Sequence, residues 1–238
     1  MCGGFKPEGK APVAPTSIEN LFDPKNFSAP GTFYYHRAEG TITYQPRPGE
    51  TAATLAATAT TATTEQLLIA NNTKNLRWEH VKFQYATSLH ASGDRGFVDT
   101  QSAYLYKDGE PPVNIHVATS SNISFATCDF SHLGGVYGIG VDLGSQNVLV
   151  TNSTFSDISG GAIKLGSSGE RGAPAPNITL DPSLQDRGFL VSDCLMDSIP
   201  VEYGSANPIF GGYIADSVLS HNTIRNSAYS GSPRPILT

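Results

Sequence analysis

Asp99, Asp142 and Lys164 are the residues whose types and spacing first indicate chemistry. Each lies in a short segment in which apolar and polar residues alternate, so we expect the three side chains to point outward on one shared face. Two neighbouring carboxylates repel each other and the pKa of one rises, whereas an adjacent amine keeps a carboxylate ionised. This arrangement suits a general acid and base, such as enzymes that cleave bonds between sugars use. A solvated strand with one surface ion pair is the alternative.

Further candidates lie later in the chain. Glu202 lies in the loop before the segment of Phe210, and this loop can lean over the same face; an ordinary exposed glutamate is the alternative. Phe210 falls in the outward row with Lys164. His221 belongs to a polar row that we interpret as a solvent-facing turn. The predicted substrate-binding residues are Phe210, His221 and Tyr229.

Several classes of function are excluded by what the sequence lacks. It has no His-x-His or His-Glu-x-x-His spacing for zinc, no Gly-x-Ser-x-Gly motif and no phosphate-binding loop. Scattered Lys and Arg residues and a net charge of −6 give no basic patch for nucleic acid. No apolar stretch approaches the ~20 residues of a membrane span. We therefore predict no metal, no cofactor, no nucleic-acid partner and no membrane association.

A repeat organises the elements that must position these residues. Five segments begin with Asn, Asp or Gly and carry apolar residues at their fourth and ninth positions: 75–83, 122–130, 147–155, 188–196 and 216–224. Their starts lie 47, 25, 41 and 28 residues apart, which indicates a coil of about 25 residues with two insertions or a skipped coil. Each coil buries its inward side chains only by stacking on its neighbours. The pattern favours an all-β fold, a right-handed parallel β-helix, over a jelly roll or sandwich.

A second strand follows most of these segments and carries the candidate residues. Residues 96–102, 140–145, 162–167 and 208–213 can be aligned with one another. In this alignment the outward row consists of Asp99, Asp142, Lys164 and Phe210.

The first strand of each coil also predicts the state of two cysteines. Cys128 and Cys194 share the seventh position of their segments, two coils apart. Since coils are ~4.8 Å apart, their Cα atoms lie ~9.6 Å from each other, beyond the ~7 Å limit for a disulfide. Both are therefore predicted to be buried thiols, and Trp78, at the fourth position, is predicted to pack in the core.

The first seventy residues differ from the rest. Residues 31–35 and 41–44 alternate aromatic and β-branched residues and predict a β-hairpin. Residues 51–64 are almost entirely Thr and Ala, which predicts a Thr-rich strand or a loop. We divide the chain into a disordered segment at 1–20, a hairpin-containing cap at 21–70, the coils at 71–231 and an irregular tail at 232–238.

Several motifs occur in the same order as in a known family, at residues 30–50, 130–135, 157–161, 201–203 and 220–224. From about residue 21 to residue 231 the chain resembles the right-handed parallel β-helix glycoside hydrolases of plant-polysaccharide breakdown, the family that contains α-L-fucosidases and xylanases. The resemblance implies hydrolysis of plant or algal cell-wall glycans, with Asp142 and Glu202 as the carboxylate pair and Asp99 and Lys164 positioning them. It also implies a carbohydrate partner and an extracellular full-length protein.

The chain departs from this family at its two ends. After the motif at 226–231 the family continues into a Gly- and Trp-rich strand, whereas here residues 232–235 replace it. No signal peptide is visible at the N-terminus. We therefore expect a truncated or internal piece of a longer protein, with an open C-terminal coil that self-associates.

Two other functions remain open at this point. A uronate polysaccharide lyase or epimerase would hold Ca²⁺ with Asp99 and Asp142 and use Lys164 to take the proton. A non-catalytic β-helix would bind carbohydrate without turnover. Calcium-dependent formation of an unsaturated product would identify the lyase, and release of reducing ends would identify the hydrolase.

Overall fold

Segments with alternating apolar residues form short strands in the computed structural model, which describes residues 27–36, 38–89, 96–98, 104–106, 113–166 and 184–227. The chain divides into two compact units, Met1–Thr61 and Ala62–Thr238. Among the described residues no helix is long and apolar enough to cross a membrane.

The first unit contains the predicted hairpin. Strands β1 (Phe33–His36) and β2 (Thr41–Tyr44) pair antiparallel, with Phe33 opposite Tyr44. Helix α1 (Ala52–Thr58) follows, so the prediction of a strand or loop at 51–64 is wrong for these residues. Ala is the strongest helix former, and the Thr51 side chain caps the helix by accepting the backbone N–H of Thr54.

Parallel sheets make up most of the described second unit, and the chain passes through them in the same order each time. We call them sheets I, II and III, and one passage through all three a rung. Sheet I contains β3 (Leu68–Asn71), β8 (Ile115–Ala118), β11 (Tyr137–Asp142), β14 (Gly161–Leu165) and β18 (Ile209–Gly211). Sheet II contains β4 (Lys74–Glu79), β9 (Ser121–Ala126), β12 (Gln146–Thr151), β15 (Asp186–Arg187), β16 (Leu190–Ser192), β19 (Ile214–Ala215) and β20 (Val218–Ser220). Sheet III contains β5 (Lys82–Ala86), β10 (Asp129–Leu133), β13 (Thr154–Ile158), β17 (Leu195–Asp197) and β21 (Thr223–Arg225). The all-β parallel fold predicted from the repeat is therefore confirmed.

The predicted inward positions stack in register from rung to rung. The fourth positions pair as Trp78, Phe125, Val150, Val191 and Leu219. The ninth positions pair as Phe83, Phe130, Phe155, Met196 and Ile224. Their rings stack nearly parallel, with centroids 4.6 Å apart for Phe130 and Phe155 and 4.9 Å apart for Trp78 and Phe125. The predicted core position of Trp78 is confirmed, and Cys128 and Cys194 are buried free thiols as expected.

The long spacings of the repeat are insertions, since strands of consecutive segments pair directly. The first insertion lies between β5 and β8 and contains β6 (Gly96–Val98) and β7 (Tyr104–Tyr106), which pair antiparallel with each other. Segment 96–102 was expected in the parallel stack, and this expectation is wrong for β6. Its place in sheet I belongs to β8, which pairs with both β3 and β11.

The register of sheet I also differs from the expected one by two residues. Gly140 lies opposite Lys164, so Asp142 lies beyond Val141 and its partner Leu165. The predicted alignment of Lys164 with Phe210 is confirmed. A slip of two residues keeps every side chain on its predicted face, because side chains alternate with a period of two. The sequence pattern therefore gives no signal against it.

The predicted polar row with His221 lies in turns between sheets II and III. His80, Thr127, Asn152, Asp193 and His221 all have left-handed backbones, with φ between 49° and 57°. The side chains of His80 and His221 are largely exposed. The expectation of a solvent-facing turn is confirmed for these two residues.

Candidate functional site

The outward side of sheet I brings a carboxylate and an imidazole into contact. Asp142 is the last residue of β11, and His116 lies on the neighbouring strand β8, opposite Gly140. His116 Nε2 lies 2.9 Å from Asp142 Oδ1. The two side chains are 28% and 15% exposed, so the pair is sheltered but open to solvent on one side.

Lys164 lies on the other side of Asp142, on β14. It stands between the inward residues Ile163 and Leu165, so its outward register is as predicted. The residue is nevertheless only 2% exposed, which does not fit the alternative of a solvated strand with a surface ion pair. Burying an ammonium group without partners is costly, so a cation at this depth indicates polar groups around it.

Gly140 separates His116 from Lys164 in the same cross-strand row. A Cβ atom on Gly140 would lie 2.8 Å from Cγ2 of Val113, so the Val113 side chain lies directly over this glycine. Val113 packs with Val136 and Tyr137, and both Phe210 and Tyr203 pack against this group. An apolar wall therefore borders the row of charged residues.

Glu202 lies at the opposite end of sheet I from Asp142. Its backbone N–H donates to the carbonyl of Ser159 (3.1 Å), just before β14 begins at Gly161, and its side chain is exposed. Asp142 lies at the far end of the sheet, and the five residues of β14 between them span roughly 13 Å. The backbones of these two residues therefore lie at opposite ends of sheet I, and their pairing stays a prediction.

The remaining predicted residues are not part of this arrangement. Asp99 and Tyr229 lie outside the described residues. His221 lies in the turn after β20, with Nδ1 3.6 Å from Asp193 Oδ1, away from sheet I. Phe210 pairs with Lys164 and is half-buried, so it is the one predicted substrate-binding residue that the described structure places beside the site.

Sequence reasoning missed two residues of the site. His116 lies between the inward residues Ile115 and Val117, so its alternation within 115–118 was the available signal. Asp186 begins a two-residue strand and carries no such signal. It is fully buried, and its Oδ1 accepts the backbone N–H of Ser145 (2.8 Å) in the turn after Asp142.

The surroundings shift the proton affinity of both residues. The hydrogen bond with Asp142 raises the pKa of His116 above its usual value, although burial opposes this shift. The pKa of Asp186 is raised to about 7: burial is the main cause and the charge of Asp142 adds to it, whereas the N–H groups of Ser145 and Gly144 and the charge of Lys164 oppose the shift. Asp142 is therefore a partly exposed carboxyl group on the outward face, whereas Asp186 is a fully buried one in the next rung.

The described residues contain no group of three or more His, Cys, Asp and Glu side chains arranged to hold a metal ion. Chemically, the arrangement offers the Asp142 carboxylate in contact with the His116 imidazole, with the Lys164 amine on the next strand. It can bind a polar ligand and move a proton at Asp142 Oδ1 or His116 Nε2.

No protein-family model and no curated protein sequence matches this chain. A solved structure described as a glycoside hydrolase superposes on it with a TM-score of 0.67 at 21% sequence identity. The match covers 83% of this chain and 38% of that structure, so the chain spans well under half of its length. At this identity the likeness shows a shared fold.

Proposed function

We propose that this chain forms a right-handed parallel β-helix that acts on glycans as a glycoside hydrolase, with Asp142 as a catalytic carboxylate. The observation that carries the proposal is the 2.9 Å contact between His116 and Asp142, on an outward sheet face beside Lys164. Glycosidic cleavage requires a partly sheltered carboxylate and a second catalytic group ~5–9.5 Å away across the scissile bond, and Asp142 supplies the first of these.

The β-helix is supported by the path of the chain. Each rung passes through sheets I, II and III in the same order, and every strand pair between rungs is parallel. Strands that stack in this way bury a continuous interior of inward side chains. The solved glycoside hydrolase of similar fold supports the same class of architecture and activity.

The chemistry assigns complementary roles to the three residues. A proton donor passes its proton to the glycosidic oxygen as the C–O bond breaks, and a water gives its proton to a carboxylate as its oxygen bonds the anomeric carbon. Asp142 is the proposed base. His116 contacts Asp142 directly and orients its carboxylate, and Lys164 supplies positive charge on the neighbouring strand. Glu202 as the second carboxylate, here the proton donor, stays a prediction.

The test is release of reducing ends from a panel of plant and algal cell-wall glycans that includes fucosylated polymers and xylans. We expect Asp142→Asn to lower kcat/KM by about 100-fold or more, the typical contribution of general acid–base catalysis. Glu202→Gln tests the second carboxylate of the predicted pair in the same assay. Asp216→Asn is the matched control, because Asp216 is an exposed turn residue of sheet II, and its kcat/KM should stay within about twofold of the parent.

Two outcomes would replace the proposal. A product with a new ultraviolet-absorbing double bond, formed only with Ca²⁺, would identify a uronate lyase with Lys164 as the base. Glycan binding without turnover, unchanged in Asp142→Asn, would identify a non-catalytic binding module. The cell-wall substrate and the extracellular location of the full-length protein are proposals that rest on the motif resemblance alone.

A further inference from the structure

A polar ladder lies inside the corner that leads from sheet I to sheet II. At each step a backbone N–H of one rung donates to a side-chain oxygen of the next. Thr73 donates to Ser120 Oγ (3.0 Å), Ser120 to Ser145 Oγ (3.2 Å), and Ser145 to Asp186 Oδ1 (2.8 Å). The three acceptor residues are buried, so the ladder satisfies backbone donors where no strand pairing does.

Asp186 departs from the pattern of this ladder. Each serine hydroxyl also donates to a backbone carbonyl, from Ser120 to Ala118 and from Ser145 to Asp142, both at 2.7 Å. The carboxyl group of Asp186 instead has a second oxygen, Oδ2, that is buried without a hydrogen-bond partner among the described residues. A serine would complete the ladder without this orphaned atom, so the ladder alone does not explain an aspartate here.

The turn that Asp186 holds is the one that follows Asp142. Leu143 and Gly144 have left-handed backbones, with φ of 56° and 78°, and the N–H groups of Gly144 and Ser145 both stabilise the Asp186 carboxylate. The hydroxyl of Ser145 in turn donates to the carbonyl of Asp142. The backbone on the carboxyl side of Asp142 is therefore fixed from the next rung.

Asp186 also interacts electrostatically with the site. Asp142 on β11 and Lys164 on β14 are the charged groups that influence it. Strands β12 and β19, which flank β15, carry no ionisable side chain, and Arg187 on β15 itself is exposed. A charge on Asp186 therefore acts mainly on Asp142 and, through Asp142, on His116.

We propose that Asp186 is a positioning residue for Asp142: its carboxyl group fixes the turn after Asp142, and its charge acts on Asp142 and, through Asp142, on His116. The role of Asp142 in catalysis rests on the proposed function above. The effect of the Asp186 charge on the protonation of His116 does not depend on that function. An ionised Asp186 helps to stabilise the protonated imidazole of His116. When Asp186 is protonated, only Asp142 stabilises that imidazolium.

The first experiment uses the unaltered chain and follows the amide N–H resonance of Ser145 by NMR as a function of pH. Because this N–H donates to Asp186, its shift reports the protonation of the carboxyl group. We expect an inflection near pH 7, since the pKa of Asp186 is raised to about 7. An inflection only near pH 4, where an unperturbed aspartate titrates, would overturn the proposal.

The second experiment titrates the His116 imidazole, assigned with His116→Gln, in Asp186→Asn and Asp186→Ser. The first variant would keep a side-chain acceptor for the N–H of Ser145. The second variant introduces a serine, the residue type found at the equivalent positions Ser120 and Ser145 of the preceding rungs. Both variants should lower the pKa of His116 by on the order of half a unit, because each removes a negative charge that favours the protonated imidazole. Asp216→Asn should leave it unchanged. An unchanged His116 titration in a folded Asp186 variant contradicts the coupling.

Turnover gives the final readout. On any glycan that the parent hydrolyses, Asp186→Ser should lower kcat with KM within about twofold and shift the pH–rate profile, because the proton balance of the pair changes. A fall in kcat without any change in the pH profile would show that Asp186 only supports the backbone, and this would contradict its electrostatic role. A parent without turnover on the whole panel counts against the proposed function, and the two NMR titrations still decide this inference.

Discussion

The side chain and the backbone of Asp142 make contacts on opposite sides of sheet I. Its carboxylate contacts His116 on the outward side of sheet I, while its backbone carbonyl accepts a hydrogen bond from Ser145 inside the corner. The side chain is thus exposed to a ligand on one side and fixed by the fold on the other. Preorganisation of this kind lets a charged group act without reorganising its surroundings.

Replacing Asp142 by Asn should lower the free energy of unfolding by an amount that depends on pH. The pKa of His116 is raised by Asp142, so the stabilisation from this pair is fully present below the unfolded value near 6.5 and is lost as pH rises through the folded value. We expect Asp142→Asn to lower the free energy of unfolding by about 1 kcal/mol at pH 5.5 and by little at pH 8.5. Urea unfolding at both pH values measures this. An equal loss at both would show that the ion pair is not its source.

Asp186 should also make stability fall as pH rises, but here removing the carboxyl group should stabilise the protein. Its pKa is raised from 3.8 to about 7, so the folded protein binds a proton that the unfolded chain has already released. Stability should therefore fall as pH rises from 4 to 7, by at most ~1.4 kcal/mol per pH unit from this group. Asp186→Asn should remove this slope and be more stable than the parent at pH 8. A parent and variant with parallel pH profiles would contradict the assigned protonation.

At the scale of the element, the packing over the row His116–Gly140–Lys164 requires a glycine at its centre, because only a residue without a side chain leaves room for Val113. Because Val113 lies over Gly140, the insertion between β5 and β8 returns directly onto sheet I at this point. Asn114 strengthens this return by donating to the carbonyl of Glu65 (2.7 Å) and accepting the N–H of Gly135 (2.9 Å). The insertion thereby helps to shape the wall of the site.

Gly140→Ala tests this packing. The new Cβ would lie 2.8 Å from Val113 Cγ2, so Val113 must move, and we expect a loss of about 1–3 kcal/mol in the free energy of unfolding. Gly204→Ala is the control, because nothing lies within 4 Å of its added Cβ. Chemical denaturation of both variants measures the difference. Equal stability of the two would show that Val113 does not rest on Gly140.

At the scale of the whole molecule, the interior is a stack whose last described rung is poorly covered. Leu219 and Ile224 continue the two inward rows, yet they are 50% and 46% exposed, whereas their counterparts Val191 and Met196 in the preceding rung are buried. Inward apolar side chains with this exposure attract other apolar surfaces, and strand edges offer unpaired hydrogen-bonding groups.

Self-association through this rung therefore stays a prediction. We expect the chain to show a concentration-dependent mass above that of the monomer, and Leu219→Lys with Ile224→Lys to reduce it. Light scattering coupled to size-exclusion chromatography measures the mass. Ile69→Lys is the control, since Ile69 is 61% exposed but lies on the outward side of sheet I. A monomeric parent, or an equal effect of the control, would contradict the prediction.

The fold could be predicted from the sequence because each short segment by itself specifies which of its side chains point into the interior. Apolar residues at the fourth and ninth positions of each segment decide which side chains point inward, and they pair in the structure as the repeat predicts. The same reasoning identified the buried thiols Cys128 and Cys194, whose state follows from their shared position. Glu202 could not be placed, because its position depends on a loop without repeat character.

The sequence by itself therefore determined the parallel stack and the inward faces, since both follow from alternation and repeat. Only the tertiary structure decided which polar residues meet. A two-residue slip in sheet I leaves alternation intact, yet it places Gly140, not Asp142, opposite Lys164. His116 and Asp186 enter the site from distant segments of the chain, and the burial that sets the pKa of Asp186 exists only once those segments pack together.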